Sequence, residues 1–325
     1  MILAGDIGGT NTRLAWFDTE RDMRTVKVYA SRNFSSLAAI VDDFINEESH
    51  SVDRAAFGVA GPVRDGRSKV SNLDWEVDAG RLASVLRIDR LVLANDLEVN
   101  AYGIASLASE DFAILNEGTV QPDGNEALIA AGTGLGEAGL HWEGNYHRPF
   151  ASEGGHTDFA PRDETEWELF LFLNRVLGHV SYERVLSGPG LFNIYRFLRD
   201  TKRKDEPSWL SQEIRELDPP TVISRHGLSG ESALCVRALD MFVRIYGAEA
   251  GNLTLKLMGT GGLFVGGGIA PKILPELSKG RFMEAFVDKG RMKPILECVP
   301  VSVIKNDKCA LFGAARLAAL GDGAC

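Results

Sequence analysis

Cysteines and long apolar segments are scarce in this sequence of 325 residues. The four cysteines, Cys235, Cys298, Cys309 and Cys325, lack the spacing of a disulfide framework or a metal site. No apolar run approaches the roughly 20 residues that a membrane-spanning helix needs. No basic stretch followed by an apolar stretch, as in a secretory leader, precedes the first predicted strand. We therefore expect a reduced, cytoplasmic protein with no membrane partner.

Positive charge is also in short supply. Lys and Arg total 35 against 45 Asp and Glu, which gives a formal net charge of −10. We expect no nucleic-acid partner, because binding to a phosphate backbone depends on clustered Lys and Arg. The hydrophobic fraction of 45% is ordinary for a globular protein, and the length allows two domains.

The N-terminal segment predicts a β-hairpin with a glycine tip. Its first strand runs into Asp6, and its apolar second strand includes Leu14. The residues between them are small or carry hydrogen-bonding groups: Gly8, Gly9, Thr10 and Asn11. Glycine lets backbone N–H groups approach an anion, and a carboxylate at the strand end suits a hydrated Mg²⁺. By itself the pattern fits a phosphate–Mg²⁺ loop and an ordinary tight turn equally well.

Two further glycine segments follow apolar strands. One contains Gly132, Thr133 and Gly134, and the other contains Gly266, Gly267 and Gly268. After the latter, Pro271 predicts a helix that starts near Ile269. No Lys-Ser or Lys-Thr of a Walker loop follows these glycines, and no clear dinucleotide fingerprint is present. Two phosphate hairpins with a glycine-lined adenosine turn are typical of the actin-like ATPase superfamily.

Three polar segments accompany the glycine loops. A predicted strand over residues 90–94 ends in Asn95 and Asp96, just before a helix. One loop holds both Glu153 and His156. A helix over 181–201 is predicted to open after Ser181, with Glu183 in its first turn. Apolar periodicity also predicts helices over 36–45, 165–177, 231–257 and 310–320.

The sequence resembles the bacterial ATP-dependent glucokinases of the proteobacterial type. The similarity is carried nearly end to end by LAGDIGGTNTRL, FGVAGPV, NLDW, LANDLEVNAYG, GTGLG, SEGGHTDFAPR, VSYERVLSGPGL, FVGGGIAPK and FVDKGR. It implies an α/β, two-domain actin-like ATPase (ribonuclease H-like) fold with an interdomain cleft. It also implies a small domain of residues 1–112 plus about 300–325, and a large domain of residues 113–299 with helical insertions.

The implied activity is transfer of a phosphoryl group from ATP–Mg²⁺ to the 6-hydroxyl of glucose, and homodimers are common in this family. Asp96 is the implied general base, since an ordinary carboxylate is ionised at neutral pH and can accept the hydroxyl proton. The competing interpretation of Asp96 is the N-cap of a helix that begins at Leu97. Asp6 would position Mg²⁺ through water. The phosphate loops are residues 8–12 and 132–136, and Gly266 to Gly268 would line the adenine–ribose side.

The implied sugar contacts are Asn95, Asp96, Glu153, His156 and Glu183, with Asn72 as a weaker candidate. Carboxylates suit a hexose because they accept hydrogen bonds from its hydroxyls. The alternatives are a turn role for Asn95, solvated loop carboxylates, and a helix-dipole role for Glu183. We expect no zinc at His156, because the sequence lacks the cysteine cluster that accompanies such a histidine in the related ROK kinases.

Two other functions compete with this interpretation. One is a kinase for another hexose, such as mannose or fructose. The other is a sugar-sensing regulator on the same fold, which would normally carry a DNA-binding extension before the first strand and would have lost Asp6 or Asp96. The sequence departs from the resembled pattern at Lys308 and Cys309, where small residues are expected.

Overall fold

The protein is described here by a computed structural model that covers residues 1–47, 50–70, 73–201 and 205–321. The chain divides into two units. Unit 1 comprises Met1–Asp111, Arg148–Ala151 and Asn306–Cys325, and unit 2 comprises Phe112–His147 and Ser152–Lys305. Each unit therefore uses more than one segment of the chain.

Unit 1 is built on a mixed sheet. Its strands are β1 (Ile2–Ile7), β2 (Asn11–Phe17), β3 (Met23–Ala30), β4 (Arg54–Val59), β5 (Val63–Arg64), β6 (Arg67–Lys69), β7 (Glu76–Asp78) and β8 (Leu91–Asn95). Its helices are α1 (Leu37–Glu47), α2 (Ala79–Leu86), α3 (Asp96–Ile104) and, near the C-terminus, α12 (Cys309–Leu320). The main sheet has the order β3-β2-β1-β4-β8, and β5, β6 and β7 form a small separate sheet.

The register of the main sheet places strand ends side by side. Strands β1 and β2 are antiparallel, whereas β1, β4 and β8 run parallel. Ile7 pairs with Val59, and Val59 pairs with Asn95. The carboxyl ends of β1 and β8 therefore lie at the same sheet edge, where open α/β sheets place ligand groups.

Both faces of the central strands β1, β4 and β8 are buried, which explains their nearly continuous apolar residues, whereas the edge strand β3 is partly exposed. Leu3 and Ile7 of β1 belong to a core cluster with residues of α1 and α2. Ile2 and Ala4 belong to a second cluster with residues of α3 and α12. Alternate residues of one strand thus supply two different cores, as the period of a strand requires.

Unit 2 repeats the hairpin arrangement on a larger scale. Its strands are β9 (Phe112–Asn116), β10 (Glu126–Ala131), β11 (Leu135–Trp142), β13 (Gly262–Gly266) and β14 (Val301–Ile304), while β12 (His147–Ser152) has residues in both units. Strands β11, β10, β13, β14 and β9 lie side by side in that order. As in unit 1, an antiparallel hairpin, β10–β11, is followed across the sheet by a parallel strand, β13.

The helices of unit 2 surround one large apolar core. They are α4 (Glu164–Leu177), α5 (Gly188–Asp200), α6 (Ser208–Glu216), α7 (Pro219–Ser229), α8 (Ala233–Leu257), α9 (Leu274–Leu277), α10 (Arg281–Val287) and α11 (Lys293–Glu297). Among all the helices of the described ranges, none is long and apolar enough to cross a membrane. The α/β class predicted from the sequence is confirmed.

Two predicted helix starts are wrong. Residues 182–184 form a 3-10 turn, and α5 begins only at Gly188, because Ser187 caps it by accepting a hydrogen bond from Gly190 N at 3.0 Å. The helix expected from Ile269 begins instead at Leu274. Before Leu274 the chain forms a turn, and this turn is held to β10 by the hydrogen bond from Ile269 N to Ala131 O at 3.1 Å.

Candidate active site

The first glycine hairpin is a tight turn braced by a serine from the next strand end. Gly8 N donates to Asn11 O at 3.0 Å, and a Cβ on Gly8 would lie 2.9 Å from that oxygen. Ser31 supports the tip twice: its N–H donates to Thr10 O at 2.9 Å and its hydroxyl donates to Gly8 O at 2.8 Å. No local pattern in the sequence predicts this role for Ser31, because it lies 23 residues beyond Gly8.

Asp6 lies one residue before the end of β1, beside this tip. Burial raises the pKa of Asp6 to about 6, the Arg13 guanidinium lowers it, and the charge of Asp96 raises it. Arg13 is itself held by Asp307, with NH1 at 2.6 Å from the Asp307 carbonyl oxygen. Asp6 and Asp96 therefore interact electrostatically at the common edge of the sheet.

The donor chemistry of this edge suits a magnesium ion that is held partly by water. Among the described residues, no three His, Cys, Asp or Glu side chains are grouped closely enough to hold a metal ion directly. Mg²⁺ commonly binds through one or two carboxylates and completes its shell with water and substrate phosphates. The mutual repulsion of Asp6 and Asp96 would be relieved by a cation, so Asp6 fits this role.

Asn95 and Asp96 have different structural roles at the end of β8. Helix α3 begins at Asp96, and Asn95 is its N-cap, with Oδ1 accepting from Leu97 N at 3.0 Å. The Asn95 amide also donates to Gly61 O at 3.2 Å. The alternative in which Asp96 caps a helix starting at Leu97 is therefore wrong, although Asp96 Oδ1 also lies 3.0 Å from Leu97 N.

The second glycine hairpin is supported from below by a glutamate. Gly132 N donates to Gly134 O and Gly188 N donates to Gly132 O, each at 2.8 Å. Leu135 N donates to Glu183 Oε2 at 3.1 Å. A Cβ on Gly134 would lie 2.5 Å from the same carboxylate oxygen. Glu183, predicted as a sugar contact, thus also supports the hairpin backbone.

The segments that hold the predicted sugar contacts of unit 2 meet at Leu135. Residues 154–156 form a 3-10 turn after Glu153, and a Cβ on Gly155 would overlap Leu135 O. Glu183 binds the N–H of the same Leu135. Backbone hydrogen bonds join the two turns: Tyr182 N donates to Thr157 O at 3.0 Å. Glu153, His156 and Glu183 therefore lie on two connected turns beside the second hairpin.

The side chains on the first of these turns are open to solvent. Glu153 and His156 are 82% and 60% exposed, and their Oε2 and Nε2 atoms are 3.9 Å apart. Such groups are available to a ligand, because neither is used up in the core. Asn72, the weaker sugar candidate, lies outside the described residues.

The third glycine segment packs against the second hairpin. Gly267 has φ of 80°, and a Cβ there would overlap the backbone of Ala131, so only glycine fits. Tyr246 Oη lies 3.2 Å from Ala131 N and 3.5 Å from Gly266 O. Gly266, Gly267 and Gly268 are thus fixed next to Gly132, Thr133 and Gly134.

The segment that departs from the resembled pattern is integrated into unit 1. Cys309 begins α12, its Sγ donates to Asn100 O at 3.3 Å, and burial raises its pKa to about 12. Asn306 Nδ2 donates to Asp111 Oδ1 at 3.1 Å. The cysteine therefore has a packing role as a neutral thiol.

Comparison with known proteins agrees with this arrangement. The family described as Glucokinase matches residues 3–320. A curated glucokinase of Synechocystis sp. is 42% identical, with 98% of each chain covered. The crystal structure of glucokinase from an Antarctic psychrotroph superposes with a TM-score of 0.86 at 30% identity, covering 98% of this chain and 99% of that one. A ROK family glucokinase from Streptomyces griseus, at 21% identity, 98% and 99% coverage and a TM-score of 0.69, shares the fold.

The fold, with its paired glycine hairpins and the carboxylates beside them, defines a sugar kinase of the actin-like ATPase class. Within that class, the chain belongs to the glucokinase family.

Proposed function

We propose that this glucokinase transfers the γ-phosphoryl group of ATP to the 6-hydroxyl of glucose, with Asp96 as the general base. The observation that carries the proposal is that Asn95, and not Asp96, is the N-cap of the helix that follows β8. Asn95 is the N-cap of α3, and Asp96 shares the Leu97 N–H with it through Oδ1 alone. That carboxylate lies close enough to Asp6 to raise its pKa, as expected for groups around one reacting phosphate.

The reaction needs few protein groups. The sugar hydroxyl attacks the γ-phosphorus in line, and the acceptor of its proton must lie within hydrogen-bond reach. Asp96 accepts that proton, while the loops 8–11 and 132–134 hold the phosphates through backbone N–H groups other than those of Gly8 and Gly132, which bond within their own turns. Mg²⁺ positioned by Asp6 would neutralise charge on the transferring group.

Within unit 2, sugar recognition is assigned to the two connected turns, and within unit 1 to Asn95 and Asp96. Glu153, His156 and Glu183 offer acceptors, and a histidine that can also donate, for several hydroxyls. Glu183 accepts from Leu135 N through one oxygen, and its other oxygen can accept from a sugar hydroxyl. This arrangement couples sugar binding to the geometry of the adjacent phosphate hairpin.

A coupled assay with ATP–Mg²⁺ across glucose, mannose, fructose and N-acetylglucosamine tests the substrate. We expect glucose to have the highest kcat/KM by a wide margin. A higher value for another hexose would make the chain a kinase of that sugar. The regulator alternative predicts sugar binding without turnover, so measurable turnover with any of the four sugars excludes it.

Assembly and location are separate proposals. We propose a homodimer, on the strength of the family resemblance, to be checked by sedimentation equilibrium at micromolar concentration. We propose a cytoplasmic location because Cys235, Cys298 and Cys309 are all unpaired thiols. Cell fractionation checks that location.

A further inference from the structure

A buried glutamate lies directly beneath the turn of Glu153 and His156. Glu137 lies on β11, two residues after Leu135, and is only 1% exposed. Its Oε1 has no hydrogen-bond partner among the described residues. Its Oε2 occupies the place that a Cβ on Gly154 would need, so the carboxyl group touches the turn itself.

A second buried carboxylate, Glu249 of α8, faces Glu137 and accepts hydrogen bonds from Asn252 and Lys256. Glu249 Oε2 accepts from Asn252 Nδ2 at 2.8 Å, and Lys256 Nζ lies 3.2 Å from Oε1. Asn252 Nδ2 also donates to the Tyr182 hydroxyl at 3.0 Å. Both oxygens of Glu249 therefore have donors, whereas Oε1 of Glu137 has none among the described residues.

The charged and titratable groups around the pair come from four elements. They are Glu249, Lys256 and Tyr246 of α8, Tyr182 of the second turn, Lys289 after α10, and Arg162 before α4. Burial raises the pKa of Glu137 to about 8, the charge of Glu249 raises it further, and Lys256 lowers it. Glu137 therefore carries its proton at neutral pH.

We propose that Glu137 is a positioning residue for glucose, whose protonated carboxyl supports the Glu153–His156 turn and whose ionised form displaces that turn. An ionised carboxylate is costly in a buried site when one of its oxygens has no donor, as Oε1 of Glu137 has none among the described residues. The carboxyl group touches Gly154, which is partly exposed, so moving this turn is the direct way for the ionised group to gain water. Ionisation therefore moves the turn that carries Glu153 and His156. The inference rests on the proposed sugar contacts of that turn.

The test is glucose binding measured by calorimetry on the full-length protein at about pH 7 and about pH 9. If only the protonated form binds, the apparent Kd equals the intrinsic Kd divided by the competent fraction. A titration near pH 8 then weakens glucose binding about tenfold at about pH 9. Glu137→Gln keeps a neutral group of the same shape and should bind glucose equally well at both pH values.

Glu126→Gln is the matched control. Glu126 lies on β10 of the same hairpin, and burial raises its pKa too, but it faces His147 at 3.6 Å rather than the turn. This variant should keep the alkaline loss of affinity. A Glu137→Gln protein that loses affinity at about pH 9 as the wild type does would overturn the proposal, as would a wild type whose affinity does not change.

A second variant covers the case in which Glu137→Gln does not fold. Lys256 is half-exposed and holds the pKa of Glu137 down, so Lys256→Gln should move the loss of glucose affinity to higher pH. An unmoved or lowered midpoint would contradict the proposal. His156→Gln separates the two levels of inference: if it binds glucose like the wild type at about pH 7, the sugar contacts are wrong, independently of Glu137.

Discussion

The two glycine hairpins have the same topology but are supported in different ways. In unit 1, the hydroxyl of Ser31 holds the tip by donating to Gly8 O. In unit 2, the carboxylate of Glu183 holds the strand that follows the tip by accepting from Leu135 N. Two carboxylates, Asp6 and Asp96, lie beside the first hairpin, and the charge of Asp96 raises the pKa of Asp6.

This difference shows how one backbone motif serves two tasks. In unit 1 the tip is held by a serine hydroxyl, and the proposed roles of Asp6 and Asp96 are in metal positioning and proton acceptance. The hairpin of unit 2 uses a carboxylate as a structural brace and connects it to the turn of Glu153 and His156. We therefore expect substitutions in unit 1 to change turnover first, and those in unit 2 to change stability and sugar affinity first.

The largest expected effect is that of Asp96→Asn. Loss of the basic oxygen should lower kcat by about 10²–10⁴, with only a modest loss of glucose affinity because the carboxylate also accepts a sugar hydroxyl. Asp78→Asn is the matched control, because Asp78 is a true N-cap, of α2, and Asn caps nearly as well. Steady-state kinetics and thermal melting of both variants check this. A folded Asp96→Asn enzyme with more than about a tenth of wild-type kcat would show that Asp96 is not the base.

The second hairpin is tested by a pair of glycine substitutions. A Cβ on Gly134 would lie 2.5 Å from Glu183 Oε2, whereas a Cβ on Gly132 meets nothing within 4 Å. Gly134→Ala should cost about 1–3 kcal/mol of stability, because the Glu183 carboxylate must move away and lose its hydrogen bond from Leu135 N. Gly132→Ala should leave stability within about 0.5 kcal/mol.

Chemical denaturation measures both variants, and ATP titration adds a second reading. If the open space at Gly132 receives a phosphate, Gly132→Ala weakens ATP without changing stability. Equal stability losses in the two variants would contradict the bracing role of Glu183.

The carboxylate beside the first hairpin predicts a pH-dependent stability. The pKa of Asp6 is raised from 3.8 to about 6, so the folded protein binds a proton that the unfolded chain has released. That stabilisation is complete below about pH 3.8 and is lost as the pH rises through about 6. Relative to Asp6→Asn, the wild type should lose about 2–3 kcal/mol across this window, at about 1.4 kcal/mol per pKa unit.

Thermal melting of the wild type and Asp6→Asn from about pH 4 to about pH 7 measures this difference. Mg²⁺ with ATP should recover stability in the wild type alone at about pH 7, since only an ionised carboxylate attracts the ion. If the difference in stability between the two proteins is the same at every pH, Asp6 is not the group that titrates.

The smallest expected effects come from the two serines that support the hairpins. Ser31→Ala removes the hydrogen bond to Gly8 O, and Ser187→Ala removes the bond to Glu183 O at 2.7 Å together with the cap of α5. Each should cost about 1 kcal/mol of stability. Kinetics should separate them: Ser31→Ala raises KM for ATP, and Ser187→Ala raises KM for glucose. If both variants raise the same KM, the two hairpins do not differ in which substrate they serve.

Local patterns in the sequence carried much of the fold. The apolar strands around Asp6 and around Gly132 predicted both hairpins, and the residues after β8 placed Asn95 and Asp96 at a strand end. These features depend on residues close together in the chain. The helix expected after Ser181 failed because Ser187, with Gly188 and Pro189 after it, offers a better N-terminus.

The sequence by itself determined the family, the hairpins and the candidate groups for chemistry, because each is written in a short run of residues. Only the tertiary structure decided what supports them. Ser31, Glu137 and Glu249 lie far along the chain from the turns they contact or face, and no local pattern distinguishes them from other polar residues. The proton on Glu137 is decided by burial and by the charges of α8, which exist only once the chain has folded.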